Sequence, residues 1–152
     1  MPTATPISRP TLADMFDNDT FQKSKVVRES RDLPTVLLVE DDSMTTLLLQ
    51  RQLKDHSTYV AHDAHEALRL YAWHAPDICF LDIVLPGANG LALLEVIHTF
   101  DPDAFAVMLT AQSSHENLMA SVKSGVQGFI AKPFTLATIN QYIEQFKKKR
   151  GR

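Results

Sequence analysis

From Thr35 onward one unit recurs five times: a short apolar run followed by a longer stretch whose apolar residues return with a period near 3.6. The runs cover 35–39, 59–61, 78–81, 104–109 and 129–131, and the helical stretches cover 43–54, 64–74, 91–99, 116–124 and 136–149. Strands joined by helices require parallel pairing, because a parallel neighbour is reached only by a crossover, and right-handed crossovers place helices on both faces of the sheet. The run at 78–81 is too continuously apolar for a sheet with one wet face. The expected fold is therefore a doubly wound α/β sandwich, with function sought outside the carboxyl ends of the strands.

The remaining sequence bounds what such a domain can do. A chain of 152 residues, 45% hydrophobic and 22% charged, fits one globular domain. Its net charge of −3 gives no global drive toward nucleic acid or anionic membrane, and neither partner is expected. Cys79 is the only cysteine, which rules out an internal disulfide. No run reaches the roughly 20 apolar residues of a spanning helix, and the start lacks the apolar core of a secretory signal, so the cytoplasm is the expected location. His56, His62, His65, His74, His98 and His115 lack zinc-site spacing. The basic run from Lys147 to Arg150 suits a helix C-terminus.

Four strands end in polar residues. Glu40, Asp41 and Asp42 follow the first run, Asp82 the third, Thr110 the fourth and Lys132 the fifth. Parallel strand ends lie side by side, so these groups should converge on one rim. Each has an ordinary explanation: Asp42 as a helix N-cap, Lys132 as an ion-pair partner, Thr110 as a hydroxyl bonded to backbone. Together they suit phosphoryl transfer to protein. A carboxylate attacks phosphorus, Mg2+ offsets the crowded negative charge, and a lysine and a hydroxyl hold the phosphoryl oxygens.

With these residues the chain resembles the receiver domains of two-component response regulators over about 115 residues, a stand-alone, chemotaxis-regulator-like example with the flavodoxin-like (βα)5 fold. The resemblance makes Glu40 and Asp41 the acidic pair, Asp82 the phosphoacceptor, Thr110 the switch hydroxyl and Lys132 the partner lysine. It implies Mg2+ held by Asp41, Asp82 and the backbone carbonyl of Val84, with Glu40 contributing through water. It also implies an aromatic switch at Phe129, where tyrosine is the commoner residue, and output through the face built from 116–124, 129–131 and the last helix. Lys132-Pro133 would be cis, and Val84 and Gln112 occupy positions where dephosphorylation is tuned. The implied donor is a histidine kinase or a histidine phosphotransfer protein, the implied listener is another protein, and a phosphorylation-dependent dimer is a further expectation. The protein would be a switch that assists its own phosphorylation, not an enzyme in the ordinary sense.

Residues 1–33 lie outside that pattern, 34–149 form the domain and 150–152 a basic tail. Thr11 and Asp14 resemble a helix start, with Leu12, Met15 and Phe16 on one face. A mobile leader with a turn of helix is the expectation, and docking onto the domain the alternative. Three other functions fit parts of the same sequence. A flavin or dinucleotide carrier would share the architecture, but the acidic loop after the first strand repels phosphate where a carrier offers glycines. A receiver-like scaffold independent of phosphorylation would not need the full set of site residues. The chain could also be the receiver portion of a longer regulator whose effector domain is absent.

Overall fold

The computed structural model describes residues 11–110, 125–132 and 134–150. Strands β1 (Val36–Val39), β2 (Thr58–Ala61), β3 (Ile78–Asp82), β6 (Phe105–Thr110) and β7 (Gly128–Ala131) form one sheet in the order β2-β1-β3-β6-β7. Every pairing in it is parallel. Helices α2 (Ser43–Gln52), α3 (Ala64–His74), α4 (Gly90–Phe100) and α5 (Leu136–Arg150) fall within a few residues of their expected bounds. The expected helix at 116–124, Gln112 and the Lys132-Pro133 peptide bond lie outside the described residues. Among the described residues no helix is long and apolar enough to cross a membrane.

The apolar runs are explained by two cores. Leu37, Val39, Cys79, Leu81, Ala106 and Met108 point to one face of the sheet, under α3 and α4. Their neighbours Val36, Leu38, Ile78, Phe80, Phe105, Val107 and Leu109 point to the other, where Leu49, Ile139, Ile143 and Phe146 cover them. Alternate residues along each strand thus bury on opposite faces, which is what a sheet coated on both sides demands.

The segment before Pro34 departs from the mobile leader expected of it. Leu12–Met15 form a single 3₁₀ turn, with the Thr11 N–H donating to Asp14 Oδ2 at 2.8 Å. An unanticipated helix follows, α1 (Asn18–Arg28), capped by Asp17, whose side chain accepts from the Thr20 N–H. Phe16 and Phe21 are buried in the first core, and Phe16 stacks on Phe100 with ring centroids 4.5 Å apart. Arg28 reaches Asp101, just past α4, at 2.8 Å, and the Tyr71 hydroxyl donates to the same Asp101 oxygen at 2.7 Å. Docking, the alternative reading, is what the structure shows for residues 11–33.

This cluster gives the fold a defined acid sensitivity. Burial opposes the charge on Asp101, but hydrogen bonds from Arg28 and Tyr71 hold its carboxyl below the ordinary range. Its contribution is complete above the unfolded value of about pH 3.9 and is lost as pH falls through the lower folded value. Urea titrations should show Asp101→Asn with a lower midpoint at neutral pH, since breaking a buried pair costs about 3–5 kcal/mol. The variant should also lose stability less steeply than the wild type on acidification below about pH 4.

Candidate functional site

The chain moves from β1 outward to β2 and then returns to place β3 on the other side of β1. Strand order therefore reverses between β1 and β3, and the crevice at such a reversal is where open α/β sheets bind ligands. Glu40 to Asp42 follow β1 and Asp82 ends β3, so the acidic residues flank that crevice. Leu109 pairs with Asp82, and Thr110 one step further pairs with Ala131, which brings Lys132 to the same rim. The Lys132 N–H donates to the Thr110 carbonyl at 2.7 Å and fixes the two strand ends together.

Lys132 is the hub of the charged groups. Its Nζ lies 2.5 Å from Glu40 Oε1 and 3.0 Å from Asp82 Oδ2. The other Asp82 oxygen, Oδ1, accepts the Val84 N–H at 3.0 Å. The Asp82 side chain is 14% exposed, enclosed yet reachable by a small donor. Glu40 is only 1% exposed, and its Oε2 finds no donor among the described residues. Burial and the adjoining Asp82 carboxyl push Glu40 up to about 7 against the pull of Lys132. Burial also works against the Asp82 charge, but the adjoining Glu40 carboxyl, a donor only when protonated, together with the Val84 N–H and Lys132 holds Asp82 below the ordinary carboxylate range. Lys132 loses hydration on burial, yet its two carboxylate partners hold it above the ordinary lysine value. The rim thus holds an ionised Asp82 beside a fixed ammonium.

The remaining expected residues take separate places. Asp42 is the N-cap of α2, accepting from the Met44 N–H and the Thr45 hydroxyl, so its ordinary explanation describes it. Asp41 is exposed, one residue after Glu40 at the end of β1. Thr110 is buried at the end of β6. Phe129 is half-buried and packs against the first core. Val84 starts a short antiparallel ribbon, β4 (Val84–Leu85) and β5 (Ala88–Asn89), which sequence reasoning did not anticipate. The Pro86-Gly87 pair between its strands was a readable turn signal, and Gly87 has φ +68°. Among the described residues no three His, Cys, Asp or Glu side chains form a ready cage for a metal. Mg2+ needs only one or two carboxylates, keeping water and substrate oxygens for the rest, so this donor set suits it and would not suit zinc.

Residues 36–144 match the family described as the response regulator receiver domain. The chain belongs to that family. The receiver domain's relatives include the chemotaxis protein CheY of Halobacterium salinarum, 34% identical over 111 residues, covering 71% of this chain and 92% of that one. The transcriptional regulatory protein PrrA of Mycobacterium bovis is 32% identical over 120 residues, 78% of this chain and 52% of that protein. The chain thus spans about half the length of the PrrA relatives it matches. A CheY-like response regulator receiver domain protein from Methanospirillum hungatei superposes with a TM-score of 0.71 at 26% identity, covering 78% of this chain and 99% of that one. The matched region begins after the leader, so the docked segment bearing Phe16, Phe21 and Arg28 lies outside it.

Proposed function

We propose that this receiver domain is a phosphoacceptor switch in which Asp82 takes a phosphoryl group from the phosphohistidine of a histidine kinase or a histidine phosphotransfer protein. The observation that carries the reading is the Asp82 carboxyl at the strand-order reversal, its Oδ2 3.0 Å from the Lys132 ammonium. An Asp82 oxygen attacks phosphorus, the bond from phosphorus to the donor nitrogen breaks, and the product is an acyl phosphate. The donor imidazole leaves with the electron pair of that bond and takes up a proton. Lys132 then exchanges its carboxylate contact for a phosphoryl oxygen, and Thr110, on the neighbouring strand end, donates its hydroxyl to another.

Asp41, Asp82 and the Val84 carbonyl would hold Mg2+, with Glu40 acting through water. Bound there, the ion supplies positive charge against the phosphoryl oxygens. Phe129 packs beside the strand that bears Thr110, so a shift of Thr110 changes the room available to the ring, and β7 and α5 carry that change outward. The listener is a protein. Because the chain spans about half of its PrrA relatives, a second reading is that it is the receiver portion of a longer regulator.

Incubation with acetyl phosphate and Mg2+ tests this reading by intact mass. One phosphoryl group should be gained, lost again in base, and absent when a chelator removes the metal. Lys132→Ala should slow labelling about 10²-fold or more, the cost of deleting one preorganised group that stabilises developing charge. Labelling of that variant at the wild-type rate would remove Lys132 from the mechanism.

A further inference from the structure

Gly90, the first residue of α4, touches the phosphoacceptor from behind. Its N–H donates to the Ile83 carbonyl at 2.7 Å. A Cβ built on it would lie 2.1 Å from the Asp82 carbonyl oxygen and 3.0 Å from Ile83 Cα. These neighbours are backbone atoms, so no flexible side chain can swing aside. Gly90 does not adopt the left-handed conformation that distinguishes Gly87, so the requirement is for space alone.

Neither side of the contact is free to recede. On one side, Asp82 pairs with Leu109 of β6 and the Ile83 N–H donates to the Leu109 carbonyl at 3.1 Å. On the other, Leu93, Leu94 and Ile97 fix α4 in the first core with no exposed surface. At its far end Phe100 is stacked on Phe16, and Asp101 just past the helix is ion-paired to Arg28 of the docked leader. At the near end the Asn89 side chain caps the helix by accepting the Leu91 N–H at 2.7 Å. Helix α4 is thus a strut wedged between the leader and the Asp82 peptide, and the missing side chain at its tip sets where that peptide sits.

We infer that Gly90 is a positioning residue for phosphoryl transfer: its lack of a side chain lets α4 seat against the Asp82 carbonyl and hold the Asp82 carboxylate facing Lys132 and the Val84 N–H. The inference rests on the phosphoacceptor reading of Asp82. Geometry of this kind governs rate steeply, since a displacement of about 1 Å at a reacting group costs about 10²-fold. Gly87 is the internal control, because a Cβ there meets nothing within 4 Å and only its φ of +68° is strained.

The test compares Gly90→Ala with Gly87→Ala, using acetyl phosphate labelling together with the NMR resonance of the Val84 amide, whose proton reports the bond to Asp82 Oδ1. Gly90→Ala should label about 10²-fold more slowly with the Val84 resonance shifted. Gly87→Ala should melt at a lower temperature yet label markedly faster than Gly90→Ala, which separates backbone strain in the Val84 ribbon from a Cβ pressed against the Asp82 carbonyl. A folded Gly90→Ala that labels like the wild type with Val84 unmoved overturns the inference. If Gly90→Ala fails to fold, Ile97→Ala decides, because it loosens the seat of α4 without adding volume and lies two turns away from the ribbon that pairs Val84 with Asn89; slower labelling with a shifted Val84 supports the inference and unchanged values overturn it. Failure of the wild type to label would instead reject the phosphoacceptor reading, while the Val84 resonance would still report the Gly90 contact.

Discussion

Phe21→Ala should lower the stability of the whole receiver domain by about 3–5 kcal/mol, the usual loss for a buried phenylalanine. Phe21 has no exposed surface; its ring lies 5.5 Å from Phe16 and 5.8 Å from Tyr71, with the Arg28 guanidinium 5.7 Å above it. Truncation removes buried apolar area, opens a cavity beneath α1 and deletes a cation–π contact, and it loosens the segment that presents Arg28 to Asp101. Against a total stability of about 5–15 kcal/mol, that is a large fraction. Urea unfolding should show a lower midpoint with a single transition, because the leader and the sheet share one core. An unchanged midpoint, or a separate early transition, would show that α1 is not part of the folding unit.

Why the leader was hard to read is visible in its residues. Helix α1 buries only Phe21 and Arg28, seven positions apart, so its inward face is a narrow strip with a charge in it. That face becomes apolar in effect only because Asp101 neutralises Arg28 and because Ser24 donates to the Trp73 carbonyl at 2.6 Å. Those partners lie some 50 to 70 positions away in sequence, beyond the reach of any local period. The strands were legible for the opposite reason. The strands are apolar on both faces, and four of the five end abruptly in the polar residue that the rim uses.

At the candidate site, the convergence of Glu40, Asp82 and Lys132 followed from parallel strand ends and is what the structure contains. The depth at which Glu40 sits was not legible. Nothing in Glu-Asp-Asp says that the first carboxylate is buried beside Asp82 and shifted toward neutrality while the second faces solvent and the third caps a helix. Gly90 was hidden too, because a glycine opening a helix looks like a turn residue until the Asp82 carbonyl is seen against it.

The most direct test of the account is Asp82→Asn. Asparagine keeps the shape, its one carbonyl oxygen can still accept the Val84 N–H, and Lys132 keeps its contact with Glu40, so the variant should fold; but a neutral amide cannot attack phosphorus to form an acyl phosphate. The wild type and the variant are incubated with acetyl phosphate and Mg2+, and intact mass and peptide mapping are read. The account predicts one phosphoryl group on Asp82 in the wild type and none on the variant. Equal labelling of both, or a phosphoryl group mapped to another residue in the wild type, would contradict it.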